Sequence, residues 1–297
     1  MRVLRAATLT VSDLARSRNL YCHWLDYSVA ETGELSPDLA KAWGAPESGG
    51  ANYCVLRPAS GQDIFIRMIE QSAHLDYVPL TSYGWAAIEI CNQDTDKVAA
   101  RVKDSPFEIV GPPKELDGMP AIYPMQVKGL DGEIVYLTEI RADLDAYDLP
   151  RAQSLIDCLF ILVMACSDID ASLDWLSRHC GLTSGRTMEI IYSMVNNAFE
   201  LPADAKHKLA TLKHGRDVCL EVDALPAEAT PRPVYDGYLP PCVAMGSLLT
   251  DDFDALDALN ADLWIAAPSR YDSVVYGGKR SATLRAPDGT LVEIIES

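Results

Sequence analysis

Two stretches of this chain close with the same phrase. Asp131-Gly132-Glu133-Ile134-Val135-Tyr136-Leu137-Thr138-Glu139 returns as Asp288-Gly289-Thr290-Leu291-Val292-Glu293-Ile294-Ile295-Glu296, and Ser12-Asp13-Leu14 returns at nearly the same offset as Ser167-Asp168-Ile169. Repetition on this scale means that one structural unit is used more than once. It predicts two domains built on one plan, residues 1–145 and 152–297, with the Asp- and Pro-containing stretch 141–153 between them. Tyr136 in the first half stands where Glu293 stands in the second, so the copies share a scaffold and not a chemistry.

Each half divides again. Val3 to Val11 alternates as a strand, Ser12-Asp13 reads as a helix start, and Leu14, Leu20, Tyr21, Trp24 and Leu25 keep an apolar stripe at helical spacing. Tyr27 to Gly33, Tyr53 to Arg57 and Asp63 to Ile69 follow as strands. The second unit runs Trp85 to Cys91 (strand), Asp94 to Lys103 (helix), then strands at Phe107 to Pro112, Ala121 to Lys128 and Glu133 to Ile140, with Asp131-Gly132 as a hairpin turn. The third repeats the first: strand Leu155 to Ala165, helix Asp168 to His179, then strands near Thr187 to Tyr192, Ala198 to Leu201 and Asp217 to Val222. The fourth repeats the second: strand Cys242 to Leu249, helix Asp252 to Leu263, and strands at Trp264 to Ala267, Ser281 to Arg285 and Leu291 to Ile295. Four β-α-β-β-β modules, an α+β fold, are the economical reading.

The 43 acidic residues against 25 basic ones give a net charge of −18. Such a surface repels phosphate backbones and anionic lipid, and no basic cluster interrupts it, so nucleic acid and membrane partners are excluded. No apolar run reaches the roughly 18 residues of a membrane span, and the first residues lack the pattern of a secretory signal, which together imply a cytoplasmic protein. The eight cysteines include no Cys-x-x-Cys pair and lie mostly in apolar segments; they read as buried reduced thiols.

The strand, Ser-Asp turn, helix and closing Asp-Gly-x-x-Val-Glu-Ile resemble the vicinal oxygen chelate superfamily, which includes the glyoxalases, the bleomycin-resistance-type binding proteins and the extradiol dioxygenases. The resemblance covers nearly the whole chain and implies four modules paired into two half-barrel domains, each a cup for a small ligand. In that superfamily's metal enzymes a His on a module's first strand, seven residues before the Asp of the turn, and a Glu on its last strand hold a divalent ion. The equivalent first-strand positions here are Ala6, Trp85, Ile161 and Val243 or Ala244, and the last-strand positions Arg67, Tyr136, Glu221 and Glu293. No His is present among them. His23 and His179 fall near helix C-termini, His74 in a connector, and His207 and His214 in a polar loop region. The expectation is therefore no catalytic metal and no cofactor.

If the superfamily's geometry holds, Arg67, Tyr136 and Trp85 converge on the floor of an N-terminal cup, with Tyr53, Tyr123, Lys128 and Glu89 on its walls; Arg and Tyr donors suit a carboxylate, phenolate or enolate. A C-terminal cup sets Glu221 against Glu293, where repulsion between carboxylates raises one pKa and makes a general base. Two functions follow from different classes. One is a metal-independent isomerase or lyase moving a proton next to a carbonyl on a small aromatic or hydrophobic compound, with Arg67 and Tyr136 stabilising the oxyanion and Glu293, Glu221 or Glu89 as base. The other is a binding protein of the bleomycin-resistance type, without turnover. A dioxygenase with an atypical metal site rests on Glu293 alone. Either a monomer or a homodimer fits, since fused halves complete their cups within one chain.

Overall fold

The computed structural model describes residues 2–116 and 118–297. The first module comprises β1 (Leu4–Val11), α1 (Leu14–Trp24), β2 (Ser28–Glu34), α2 (Pro37–Ala42), β3 (Asn52–Arg57) and β4 (Phe65–Glu70). The second comprises β5 (Gly84–Asn92), α3 (Thr95–Val102), β6 (Glu108–Gly111), β7 (Ile122–Lys128) and β8 (Ile134–Ile140). The third has β9 (Ile156–Cys166), α4 (Ile169–Cys180), β10 (Thr183–Ile191), α5 (Ser193–Ala198), β11 (Lys206–His214) and β12 (Asp217–Ala224). The fourth has β13 (Val243–Thr250), α6 (Phe253–Asn260), β14 (Ser269–Arg270), β15 (Arg280–Arg285) and β16 (Leu291–Glu296).

Four modules form, but their pairing differs from the expected one. One eight-stranded sheet runs β14-β15-β16-β13-β1-β4-β3-β2 and the other β10-β11-β12-β9-β5-β8-β7-β6. Module one thus pairs with module four, and module two with module three, through antiparallel seams β1/β13 and β5/β9. Residues 1–145 and 152–297 each give one module to each sheet. Within a module the first and last strands lie parallel, as β1 beside β4 and β13 beside β16.

The repeated motifs have a physical cause in this arrangement. Asp13, Asp94, Asp168 and Asp252 each cap a helix, accepting from the backbone N–H three residues on. The Asp-Gly turns do a second task. Ser12 donates its N–H and hydroxyl to Asp131 Oδ1 at 2.8 and 2.5 Å, and Ser167 donates the same pair to Asp288 at 2.8 Å each. Each half is therefore clipped across the two sheets by its own two repeated phrases. Gly132 at φ +90° gives Asp131 the turn this needs. Asp131→Ala is expected to cost about 1–3 kcal/mol, read from urea midpoints; a change within error would show that the clip holds nothing.

Alternation sorts the two faces of each sheet. Ala7, Leu9, Cys54, Ile66 and Met68 from the first sheet, and Ile88, Ile90, Val135, Leu137 and Leu162 from the second, join the larger core with helix residues such as Leu20, Val98 and Leu176. The opposite faces line the cups. The strands expected at Ala198 to Leu201 and Trp264 to Ala267 do not form: α5 and a loop occupy the first place, and β14 follows the second. His207 and His214 lie on β11 and not in a loop. All eight cysteines are free thiols, and all but Cys22 are buried. Among the described residues no helix is long and apolar enough to cross a membrane.

Candidate functional site

Strand register fixes the floor of each cup. Thr8 lies beside Arg67, Ser247 beside Glu293, Glu89 beside Tyr136 and Val163 beside Glu221. These first-strand positions lie further along than expected. Ala6 and Ile161 share a face with Thr8 and Val163, but sit one pleat away from the last-strand partner. Trp85 is not on a floor at all. It is buried between the sheets, donates its indole N–H to Leu291 O at 2.7 Å and stands against Gly246.

The first cup is closed. Arg67 Nη2 meets Glu293 Oε2 at 3.1 Å, with the two side chains 2% and 1% exposed. Arg67 also donates to Thr8 Oγ1 and, at 2.9 Å, to the Tyr276 hydroxyl. Glu293 accepts from the Trp43 indole at 2.9 Å, Tyr276 at 2.8 Å and Ser247 at 2.6 Å. Burial works against the guanidinium, but Tyr276 and Glu293 outweigh it and hold the Arg67 pKa above its ordinary value. A second apolar core packs over this network: Leu39 and Trp43 from α2 and its end, Val275 and Tyr276 from the loop before β15, against Val55, Phe65, Ile69 and Leu291. Arg67 stacks beneath Trp43 at 4.3 Å. Arg67 is thus neither near Tyr136 nor free to hold a substrate oxyanion, and Glu293 does not face Glu221. Tyr53 lies on this cup's face with its hydroxyl donating to Glu31 at 2.6 Å.

The second cup gathers the remaining candidates. Glu89, Tyr136, Glu221 and Asp223 share its face, and Tyr192, just before α5, places its hydroxyl against that of Tyr136. Asp223 was missed in the sequence, although Glu221 and Asp223 stand two apart on one strand and so share a face. Burial, with repulsion from Glu221, pushes the Glu89 carboxyl up to about 8 against the pull of a 2.6 Å hydrogen bond from Thr138. Burial also pushes Asp223 up to about 8, while burial and Asp223 drive Glu221 well above the carboxylate range. Asp223 Oδ1 is buried with no donor among the described residues. Both acids are therefore held toward their protonated forms at neutral pH. Burial keeps Tyr136 protonated, reinforced by Asp223, Glu221 and Glu89. Glu221 is half-buried and gives the group its contact with solvent.

The other wall candidates are accounted for. Lys128 lies on the cup face but ion-pairs with Glu108 at 2.5 Å. Tyr123 points the other way, its hydroxyl 3.1 Å from Asp96 on α3 and its ring 3.6 Å from the Arg141 guanidinium.

Neither cup presents the donor set of a divalent metal. In the first, the cation position beside Glu293 is taken by Arg67. In the second, Val163 offers no ligand atom, and the described residues bring three His, Cys, Asp or Glu donors within 4.8 Å only at Cys91, Asp157 and Cys158. There Asp157 already accepts from Ser60, Gln62 and the Gln153 N–H.

Paired β-α-β-β-β modules curled into half-barrels define the vicinal oxygen chelate architecture, and this chain has that fold. Glyoxalase I from Zea mays matches over 99% of this chain and 92% of its own, with a TM-score of 0.65 and 17% identity. A putative dioxygenase from Bacillus subtilis matches over 99% and 84%, at TM-score 0.62 and 12% identity. The cppA protein from Streptococcus pneumoniae covers 100% of this chain and 98% of its own, at TM-score 0.52 and 10% identity. No family model and no curated protein sequence matches the chain.

Proposed function

We propose that the second cup takes up a small molecule and moves a proton on the carbon next to its carbonyl, as a metal-independent isomerase or lyase. The observation that carries this is a buried carboxyl, Glu89, held at about 8 beside a protonated phenol, Tyr136. A base with a pKa near the working pH transfers protons best in both directions. Glu89 as carboxylate takes the α-proton, the C–H electrons move to the carbonyl oxygen, and Tyr136 donates a hydrogen bond to the enolate. Glu89 then returns the proton to either face of the same carbon, or the enolate re-forms its carbonyl and expels a group from its β-carbon. Glu221 and Asp223, held toward their protonated forms by burial, limit negative charge near the enolate, and half-buried Glu221 connects the cup to solvent. Arg67 and Glu293 have no part in the step; they keep the other cup shut.

The test is α-proton exchange in D2O, followed by proton NMR, across a panel of small aryl ketones and aryl-substituted oxoacids. Exchange by the native chain should rise toward pH 8 and fall about 10²-fold or more in Glu89→Gln. Undiminished exchange in that variant would remove Glu89 as the base. Tight binding of a panel member with no exchange at any pH would establish a binding protein instead.

A further inference from the structure

Outside both cups, a cavity of about 280 Å³ opens between the start of β5, the connector before β13 and the turn into β16. Its lining combines Trp85, Tyr235 and Tyr238 with Arg232, Arg285 and Thr290. In a chain of net charge −18, neither arginine has a carboxylate partner among the described residues. Arg232 gives one Nη1 bond to Val243 O at 3.0 Å and lies 5.3 Å over the Tyr77 ring, leaving its buried Nε without an acceptor. Arg285 reaches only Gly289 O, at 3.3 Å. Thr290 is 4% exposed, and its buried Oγ1 has no partner among the described residues.

Two glycines make room for these guanidiniums. A Cβ on Gly84, at φ +110°, would stand 3.3 Å from Arg232 Cζ, and one on Gly44, at φ +72°, 3.0 Å from Arg285 Nη2. Buried N–H and O–H groups without partners are costly. Here they line one cavity with aromatic walls, the composition of a small-ligand site just below the usual range of about 300–1,000 Å³. The two acids in the lining do not fill the role of partner: Asp288 is engaged by Ser167, and Asp236 is exposed.

We propose that this cavity binds the oxyanion of a small planar compound, a carboxylate or a phosphate monoester, with Arg232, Arg285 and Thr290 as donors and Trp85, Tyr235 and Tyr238 against its flat body. Charge-assisted bonds from guanidinium to oxyanion account for the unpartnered donors, and the site is independent of the chemistry of the second cup.

Calorimetric titration of the full chain with benzoate, phenyl phosphate and the neutral isostere benzamide tests this. At least one anion should bind, and benzamide should bind about 10-fold more weakly or worse. The tighter of the two anions identifies the planar or the tetrahedral group. Arg285→Gln, on an exposed side chain, and Arg232→Gln should each weaken the anion about 10-fold, whereas Asp236→Asn should tighten it by removing a nearby negative charge. Benzamide binding as well as the anions, anion affinity unaltered in both arginine variants, or no binding of either anion at millimolar concentration would overturn the proposal.

Discussion

Arg67→Ala is expected to be the most damaging single change in the first sheet, lowering the unfolding free energy by about 3–5 kcal/mol. The truncation leaves Glu293 buried at 1% exposure with its counter-charge gone, while Thr8 loses two hydrogen bonds and Tyr276 one. Chemical denaturation measures it directly. The pair Arg67→Met with Glu293→Gln should recover much of the loss, because it removes both charges and keeps the volume beneath Trp43. A cost below about 1 kcal/mol for Arg67→Ala would mean that the guanidinium is not what holds the plug together. The same experiment separates this cup from the other: in the reading advanced above, the double variant keeps α-proton exchange, because no residue of the second cup touches the network.

The second large effect is on pH. Glu89 and Asp223 sit at about 8 and Glu133 at about 7, each raised first by burial. Their folded pKa values lie above those of the unfolded chain, so the folded state binds more protons in the interval between. The stability these groups contribute is complete below about pH 4 and is lost as pH rises through 7 to 8. Each unit of such a shift is worth about 1.4 kcal/mol. Thermal unfolding should accordingly occur about 5–10 °C lower at pH 8.5 than at pH 5.5, and Glu89→Gln should flatten that slope by removing the titrating group. A midpoint that rises over the same interval would contradict the burial of these acids.

The module plan was legible because each module's signals are local: an Asp cap, an amphipathic helix and alternating strands, with an Asp-Gly turn closing the second and fourth. The pairing of modules was not. The β1/β13 seam joins residues more than two hundred positions apart, and nothing in Leu4–Val11 distinguishes β13 from β5 as a neighbour. From that ambiguity came the expectation that Arg67 and Tyr136 converge; Trp85 was misplaced separately, by the register of β5, where Glu89 lies beside Tyr136. Tyr136 and Glu89 do lie side by side, since that register is set within a module. The covers of the cups were missed for different reasons. Helix α2 carries a readable start, Ser36 as cap followed by Pro37, whereas α5 starts after Tyr192, which gives it no side-chain cap. Asp223 was visible by alternation once Glu221 had been chosen, and only burial revealed what the two acids do to one another.

The crossed seams also bear on how the molecule comes into being. When the ribosome has delivered residues 1–145, β1 and β5 have their parallel partners on one side and nothing on the other, because β13 and β9 have yet to be made. Two bare central edges on a nascent chain are adhesive, and they are complementary to β13 and β9 of a sister chain as well as to their own. A short link between the halves therefore works as a kinetic safeguard: it keeps the rightful second copy at high local concentration, so that self-closure outruns exchange between neighbouring polypeptides.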